Sequence, residues 1–173
     1  ANKTLGLVGY GILAKAVEKV ALSFDMKVLI AERPNVSSVR AGRLAFNDVI
    51  KQADIISLHC PQTPETENLI NAKVINQMKT TAMLINTARG ALVNEVDLIN
   101  ALNNKDIAFA ILDVLKQEPP EDNHILLTNQ PANLKVTAHI AWASIEAQQR
   151  LIHLLGQNIA DFKSNKLTNR VDK

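Results

Sequence analysis

Three polar side chains stand just beyond short apolar runs, and together they could do acid–base chemistry on a molecule held by its carboxylate. Arg89 lies in Asn86-Thr87-Ala88-Arg89-Gly90, Glu118 in Gln117-Glu118-Pro119-Pro120 and His139 in Thr137-Ala138-His139-Ile140. A planar guanidinium holds a carboxylate bidentately, an imidazole exchanges a proton near neutral pH, and a carboxylate orients and charges that imidazole. Taken singly, each has an ordinary explanation: a surface cation, an exposed loop acid, a hydrogen-bonded histidine at a core edge. As a set they suit hydride transfer at C2 of a 2-hydroxy or 2-keto acid, where a proton must move at the oxygen while the carboxylate is held.

A second constellation opens the chain. Gly9-Tyr10-Gly11-Ile12-Leu13-Ala14 follows an apolar run and leads into a helical pattern. In such a G-x-G-x-x-A turn the first glycine permits the tight turn and the second lets the backbone approach a pyrophosphate. A small third residue allows the helix to pack closely on the strand. The pattern alone often marks an ordinary turn, and its place between strand and helix strengthens it. Glu32 ends the next apolar run, about 20 residues further on, where an acid can accept from ribose hydroxyls. That carboxylate would repel a 2′-phosphate, so NAD (NADH) is the expected cofactor and NADP is less favoured, with Arg33 beside it placed to offset part of the preference. The competing explanation is a solvated Glu-Arg pair.

These residues need a scaffold that gathers strand ends. Apolar runs and breakers predict strands at Thr4–Val8, Lys27–Ala31, 54–58, 82–86, 107–114 and 134–137. Between them fall helical patterns: one after Gly11 with Leu13, Ala16, Val17, Val20 and Ala21 on one face, a short one at 48–52, and one at 72–78 capped by Asn71. Another runs from Asn94 through Leu102, with Asp97 completing a capping box, and a long one spans 144–162. Alternation of this kind predicts an α/β fold of Rossmann type, a single doubly wound parallel sheet with helices on both faces, whose ligands bind beyond the carboxyl ends of the strands.

Composition narrows the function classes. The 173 residues carry a net charge of +2 without blocks of one sign, so a nucleic-acid partner is not expected. No apolar run approaches bilayer length and no targeting pattern is visible, so no membrane partner is expected. Cys60 is the single cysteine, which excludes an internal disulfide and favours a reducing, cytoplasmic setting. His59-Cys60 lacks further ligands at metal spacing, so no metal site is expected. His124 and His153 are expected at the surface or on a helix. Trp142 either walls a substrate pocket or fills a seam between domains.

The segments Leu58-His59-Cys60-Pro61 and Thr63-Pro64-Glu65-Thr66, then Asn86-Thr87-Ala88-Arg89-Gly90, Leu112-Asp113-Val114, Glu118-Pro119 and His139, resemble the D-isomer-specific 2-hydroxyacid dehydrogenases along essentially the whole chain. His139-Ile140-Ala141-Trp142-Ala143-Ser144 is most similar to the bacterial glycerate dehydrogenase or hydroxypyruvate reductase branch. The resemblance implies that Arg89 binds the substrate carboxylate, His139 is the proton donor and acceptor, and Glu118 partners the histidine. It also implies that Asp113 contacts the nicotinamide end of the cofactor. The expected cofactor-binding set is Gly9, Tyr10, Gly11, Ile12, Leu13, Glu32, Arg33, Cys60, Pro61, Thr66, Thr87, Ala88, Arg89, Asp113 and His139. Two positions depart from the family pattern: Phe109 replaces a usual glycine and is expected to crowd a helix–sheet contact, and Ala138 replaces a proline, freeing the backbone before His139. The domain reading is a cofactor domain over residues 1–146. Residues 147–173 form a helix and tail that in the family return to a substrate domain, and Asn169 to Lys173 make a family-like ending. The family's N-terminal substrate domain is read as missing from this sequence. A homodimer is expected of the full-length protein. The alternative function is a non-catalytic module that binds or senses NAD(H).

Overall fold

The computed structural model describes residues 2–128 and 130–169; the last four residues of the family-like ending lie outside them. Among the described residues six parallel strands form one sheet: β1 (Thr4–Val8), β2 (Lys27–Ala31), β3 (Ile55–Leu58), β4 (Met83–Asn86), β5 (Phe109–Leu112) and β6 (Leu134–Val136), in the order β2-β1-β3-β4-β5-β6. The helices are α1 (Ile12–Ser23), α2 (Phe46–Gln52), α3 (Ala72–Ile75), α4 (Glu95–Asn104), α5 (Ile125–Thr128) and α6 (Ile145–Lys163). This is the expected Rossmann-type architecture. The chain runs from β1 to β2 on one side and then returns to β3 on the other, so the connections beyond the carboxyl ends of β1 and β3 diverge and leave a crevice between them.

Contacts divide the chain after Ala138 into two compact units. In the first, Leu5 and Leu7 of β1 pack with Ala14 and Ala21 of α1. The larger core gathers Val8, Ile56, Leu58, Leu84, Ala110 and Leu112 of the sheet with side chains of α2, α3, α4 and α5, including Val49, Ile50, Ile75, Leu98, Leu102 and Leu126. Covered on both faces, the strands are apolar nearly throughout, as parallel strands of this kind must be. The second unit is built on α6. Ser144 caps it by accepting from the Ala147 N–H, and the tail turns back so that Thr168 donates to the Asp161 carboxylate at 2.7 Å. No helix among the described residues is long and apolar enough to cross a membrane.

Several expected boundaries and faces shift. Of the face expected in α1, Ala21 is buried and Val17 partly so, joined by Ala14, whereas Leu13 and Val20 are 75% and 56% exposed and Ala16 faces solvent. Both sets are apolar at helical spacing, and the one carrying the small Ala14 is the one that fits against β1. The helix expected at 72–78 stops at Ile75, and the 107–114 strand contracts to Phe109–Leu112. Asn94 caps α4 as expected, but Asp97 does not complete the box. Its carboxylate accepts from the Ala72 N–H at the start of α3, while the Asn94 N–H donates to Ile70. Phe109 sits half-buried opposite Met83, and the β4–β5 ladder continues past it without a break in register.

Candidate active site

The turn after β1 is fixed by its fit against the end of β3. Gly9 has φ +90, and a Cβ there would lie 2.5 Å from the Cys60 backbone nitrogen, so the site requires glycine on both counts. The His59 N–H donates to the Val8 carbonyl at 2.7 Å and closes the two strand ends together. Gly11 caps α1 with open space on its side-chain position, which leaves the helix N-terminus accessible to a phosphate. Ala14 is fully buried against β1, as the third position of the fingerprint demands.

Beside this turn lies a cleft of about 540 Å³, lined by Leu13, His59, Cys60, Pro61, Gln62, Thr87, Ala88 and Arg89. Six of these eight belong to the cofactor set expected from sequence. Ile12 and Leu13 project from the first turn of α1 largely exposed, so apolar surface is presented where a dinucleotide would lie. Burial pushes the His59 imidazole down and the Cys60 thiol up. The His59 Nε2 meets the Ser57 hydroxyl at 2.9 Å. Thr66 turns inward on its own loop: its hydroxyl donates to the Pro61 carbonyl and accepts from the Thr63 N–H, shaping the rim of the cleft.

Glu32 ends β2 buried, at 3% exposure. The segment after it loops out and returns at Leu44, whose N–H donates to Ile30 and whose carbonyl accepts from the Glu32 N–H. From this loop the Arg40 Nε donates to Glu32 Oε2 at 2.7 Å, its Nη2 donates to Oε1, and Arg43 Nη1 stands 3.7 Å from Oε1. The Arg40 guanidinium, with the Arg33 backbone N–H, holds the carboxyl well below the usual carboxylate range. The sequence expectation therefore needs correction. Arg33 contributes its backbone N–H while its own residue surface is exposed, and the charge on Glu32 is met by Arg40 and Arg43. Tyr10 lies nearby, donating its hydroxyl to Glu18, with Lys15 and Arg43 over its ring at 5.6 and 5.9 Å.

Arg89 and Glu118 share one scaffold at the ends of β4 and β5. Asn86, fully buried, accepts from the Ala88 N–H and donates to the Arg89 carbonyl, so one amide folds the turn. The following 3-10 turn, Gly90–Leu92, presses on the loop beyond β5 so closely that a Cβ on Gly90 would stand 1.9 Å from the Leu115 carbonyl carbon. That loop carries Glu118, whose carboxylate accepts from the Leu115 N–H at 2.8 Å, and the Glu118–Pro119 peptide is cis. Glu95 at the start of α4 accepts from the Lys116 N–H at 2.8 Å and pairs with His124 Nε2 at 3.2 Å. Expected at the surface or on a helix, His124 stands directly before α5, its carbonyl accepting from the Leu127 and Thr128 N–H groups, with its side chain tucked in at 10% exposure as a strut of this loop. His153 lies on α6 and is exposed, as expected.

Asp113, buried directly after β5, accepts from the Thr137 hydroxyl. His139 opens the second unit with φ +53, a left-handed conformation that a non-glycine residue adopts at a cost and that often marks functional positions. Its carbonyl accepts from the Trp142 indole at 2.8 Å, which gives that tryptophan a role in the turn of residues 139–143. Sequence reasoning missed Arg40 and Arg43, which lie 8 and 11 positions beyond Glu32 and carry no local signal. It also passed over Asn86, which a turn-forming amide at a strand end could have flagged.

The family model for the NAD binding domain of the D-isomer specific 2-hydroxyacid dehydrogenases matches residues 1–141. The chain belongs to this family. It is 43% identical to the glycerate dehydrogenase of Methylorubrum extorquens, over 99% of this chain and 54% of that protein. It is 35% identical to the hydroxypyruvate reductase of Blautia hydrogenotrophica, again over 99% of this chain and 54% of that protein. Among solved structures, D-lactate dehydrogenase with NAD+ from Lactobacillus jensenii superposes with a TM-score of 0.85 at 33% identity, covering 99% of this chain and 56% of that one. The chain therefore spans about half the length of the curated relatives it matches. It constitutes an NAD-binding domain of this dehydrogenase family.

Proposed function

We propose that this NAD-binding domain serves hydride transfer between NAD(H) and a 2-hydroxy/2-keto acid pair, glycerate and hydroxypyruvate being the favoured one. The observation that carries the reading is the cleft beside the Gly9 turn, where Leu13, Cys60, Pro61, Thr87, Ala88 and Arg89 line one crevice at the β1/β3 switch point. Residues fit the cofactor: open backbone at Gly11 toward the pyrophosphate, and the buried acceptor Glu32 toward the ribose. When bound, the nicotinamide supplies or accepts the hydride. Arg89 holds the substrate carboxylate bidentately, His139 exchanges the proton at the oxygen on C2, and Glu118 is the acid that partners the imidazole. Asp113, fixed by Thr137, borders the nicotinamide end. In this reading residues 1–146 are the cofactor domain. Residues 147–173 return to a substrate domain, which suits the exposed Leu151, Leu155 and Ile159 on α6.

The test is turnover of hydroxypyruvate by the native gene product, alongside its His139→Gln and Arg89→Lys variants. The expected result is loss of turnover by about a hundredfold or more in each, since lysine cannot reproduce bidentate recognition, with NADH affinity falling far less than turnover. Unchanged turnover in either variant would remove that residue from the mechanism. The alternative, a non-catalytic NAD(H)-binding module, predicts binding of NADH without turnover in the native protein.

A further inference from the structure

The segment between β5 and α5 carries Glu118, and residues 116–123 are all exposed. No apolar packing of its own holds this stretch, so its path depends on where polar groups tie it down. Two ties meet on one side chain. Glu95, in the first turn of α4, accepts the Lys116 N–H on Oε1 at 2.8 Å, and its Oε2 lies 3.2 Å from His124 Nε2. The entry to the exposed stretch and its exit are thus closed by the two oxygens of one carboxylate, with Glu118 between them.

The surroundings of His124 fix which nitrogen donates. Its Nδ1 accepts from the Leu126 N–H at 3.3 Å, at the start of α5, so Nε2 carries the proton given to Glu95. The two side chains are 10% and 13% exposed, and water competes little for the pair. Lys116 Nζ and Glu67 also meet, at 3.4 Å, but both side chains are half-exposed and such a contact constrains little. Directly before the Lys116 tie, the Leu115 N–H donates to Glu118 Oε1 at 2.8 Å, so the anchored backbone bears on the Glu118 carboxylate itself.

We propose that Glu95 and His124 are positioning residues that aim the Glu118 carboxylate by clamping both ends of its loop. The inference rests on the reading above in which Glu118 partners the His139 imidazole. Both residues act through Glu118, and a misplacement of about 1 Å in such a partner can cost about a hundredfold in rate.

The experiment measures hydroxypyruvate reduction by the native gene product, with melting temperatures to confirm folding. His124→Asn keeps an acceptor for the Leu126 N–H in the place of Nδ1 and drops the link to Glu95. His124→Gln keeps a donor to Glu95 in the place of Nε2. His124→Asn should lower kcat by about tenfold while KM and the NADH dissociation constant stay within about threefold, and His124→Gln should stay within about threefold of wild type throughout. In a Glu118→Gln background, itself slower by about tenfold or more, His124→Asn should cost less than about twofold further. Glu95→Gln offers one oxygen to two donors and so loses one tie; it runs the same cycle should His124→Asn fold poorly. Undiminished turnover in Glu118→Gln would sink the reading of Glu118, and the proposal with it. Where Glu118→Gln is slow, three results would overturn the proposal alone: unchanged kcat in folded His124→Asn, an equal loss in His124→Gln, or a full further loss in the Glu118→Gln background.

Discussion

Glu32 at the end of β2 and His59 at the cleft are two titratable side chains whose environment the fold perturbs plainly. The Arg40 guanidinium holds the Glu32 carboxyl below its unfolded value, so the folded chain keeps this group ionised where the unfolded chain takes up a proton. Its contribution is complete above the usual carboxylate range and is lost as pH falls below roughly 4. Glu32→Gln should flatten the acid limb of the stability profile, followed by denaturant titration between pH 5 and 3. His59 has the same sign by a different cause. Burial depresses its imidazole, so as pH falls through roughly 6.5 the unfolded chain protonates first and the folded state loses ground. His59→Asn should therefore narrow the stability difference between pH 7.5 and 5.5, and an undiminished difference would assign the slope to other groups.

At the scale of elements, the loops beyond β4 and β5 behave as one unit. Gly90→Ala should destabilise the chain by about 3 kcal/mol, because the added methyl has only backbone to displace, and calorimetric melting would show it. Asn86→Ala takes the acceptor from the Ala88 N–H and one of two donors from the Arg89 carbonyl, which keeps the Leu92 N–H, and should cost about 1–2 kcal/mol, with Arg89 losing its aim. The glycine, Asn71 and Asn94 signals were legible because each acts on its own neighbourhood. The side of α1 was legible only in part: Val17 and Ala21 pack inward as expected, but Leu13-Ala16-Val20 and Ala14-Val17-Ala21 are both apolar at helical spacing and only contact with β1 decides between them. Asp97 failed as a box for the same reason. The start of α3 offered an unmet N–H that sequence spacing cannot reveal. Arg40 and Arg43 reach Glu32 through a loop whose closure at Leu44 depends on an isolated bridge to Ala31.

For the molecule as a whole, the parallel sheet with helices on both faces was implied by alternation, whereas the strand order, and with it the switch point between β1 and β3, is seen in the structure. A 173-residue chain covering half of its relatives' length should bind NADH yet reduce hydroxypyruvate orders of magnitude more slowly than they do. Arg89 is exposed, solvent competes for its charge, and lost orientation alone can remove roughly 7 kcal/mol. Turnover close to that of a glycerate dehydrogenase would contradict this. The central claim, that a dinucleotide lies across the Gly9 turn, is tested most directly by NADH titration of the wild type and of Gly11→Glu. A Cβ at Gly11 meets nothing within 4 Å, so the variant should fold with an unchanged melting temperature while its carboxylate occupies the path of the pyrophosphate. The account predicts saturable fluorescence enhancement in the wild type and none in the folded variant; equal NADH binding by both would contradict it.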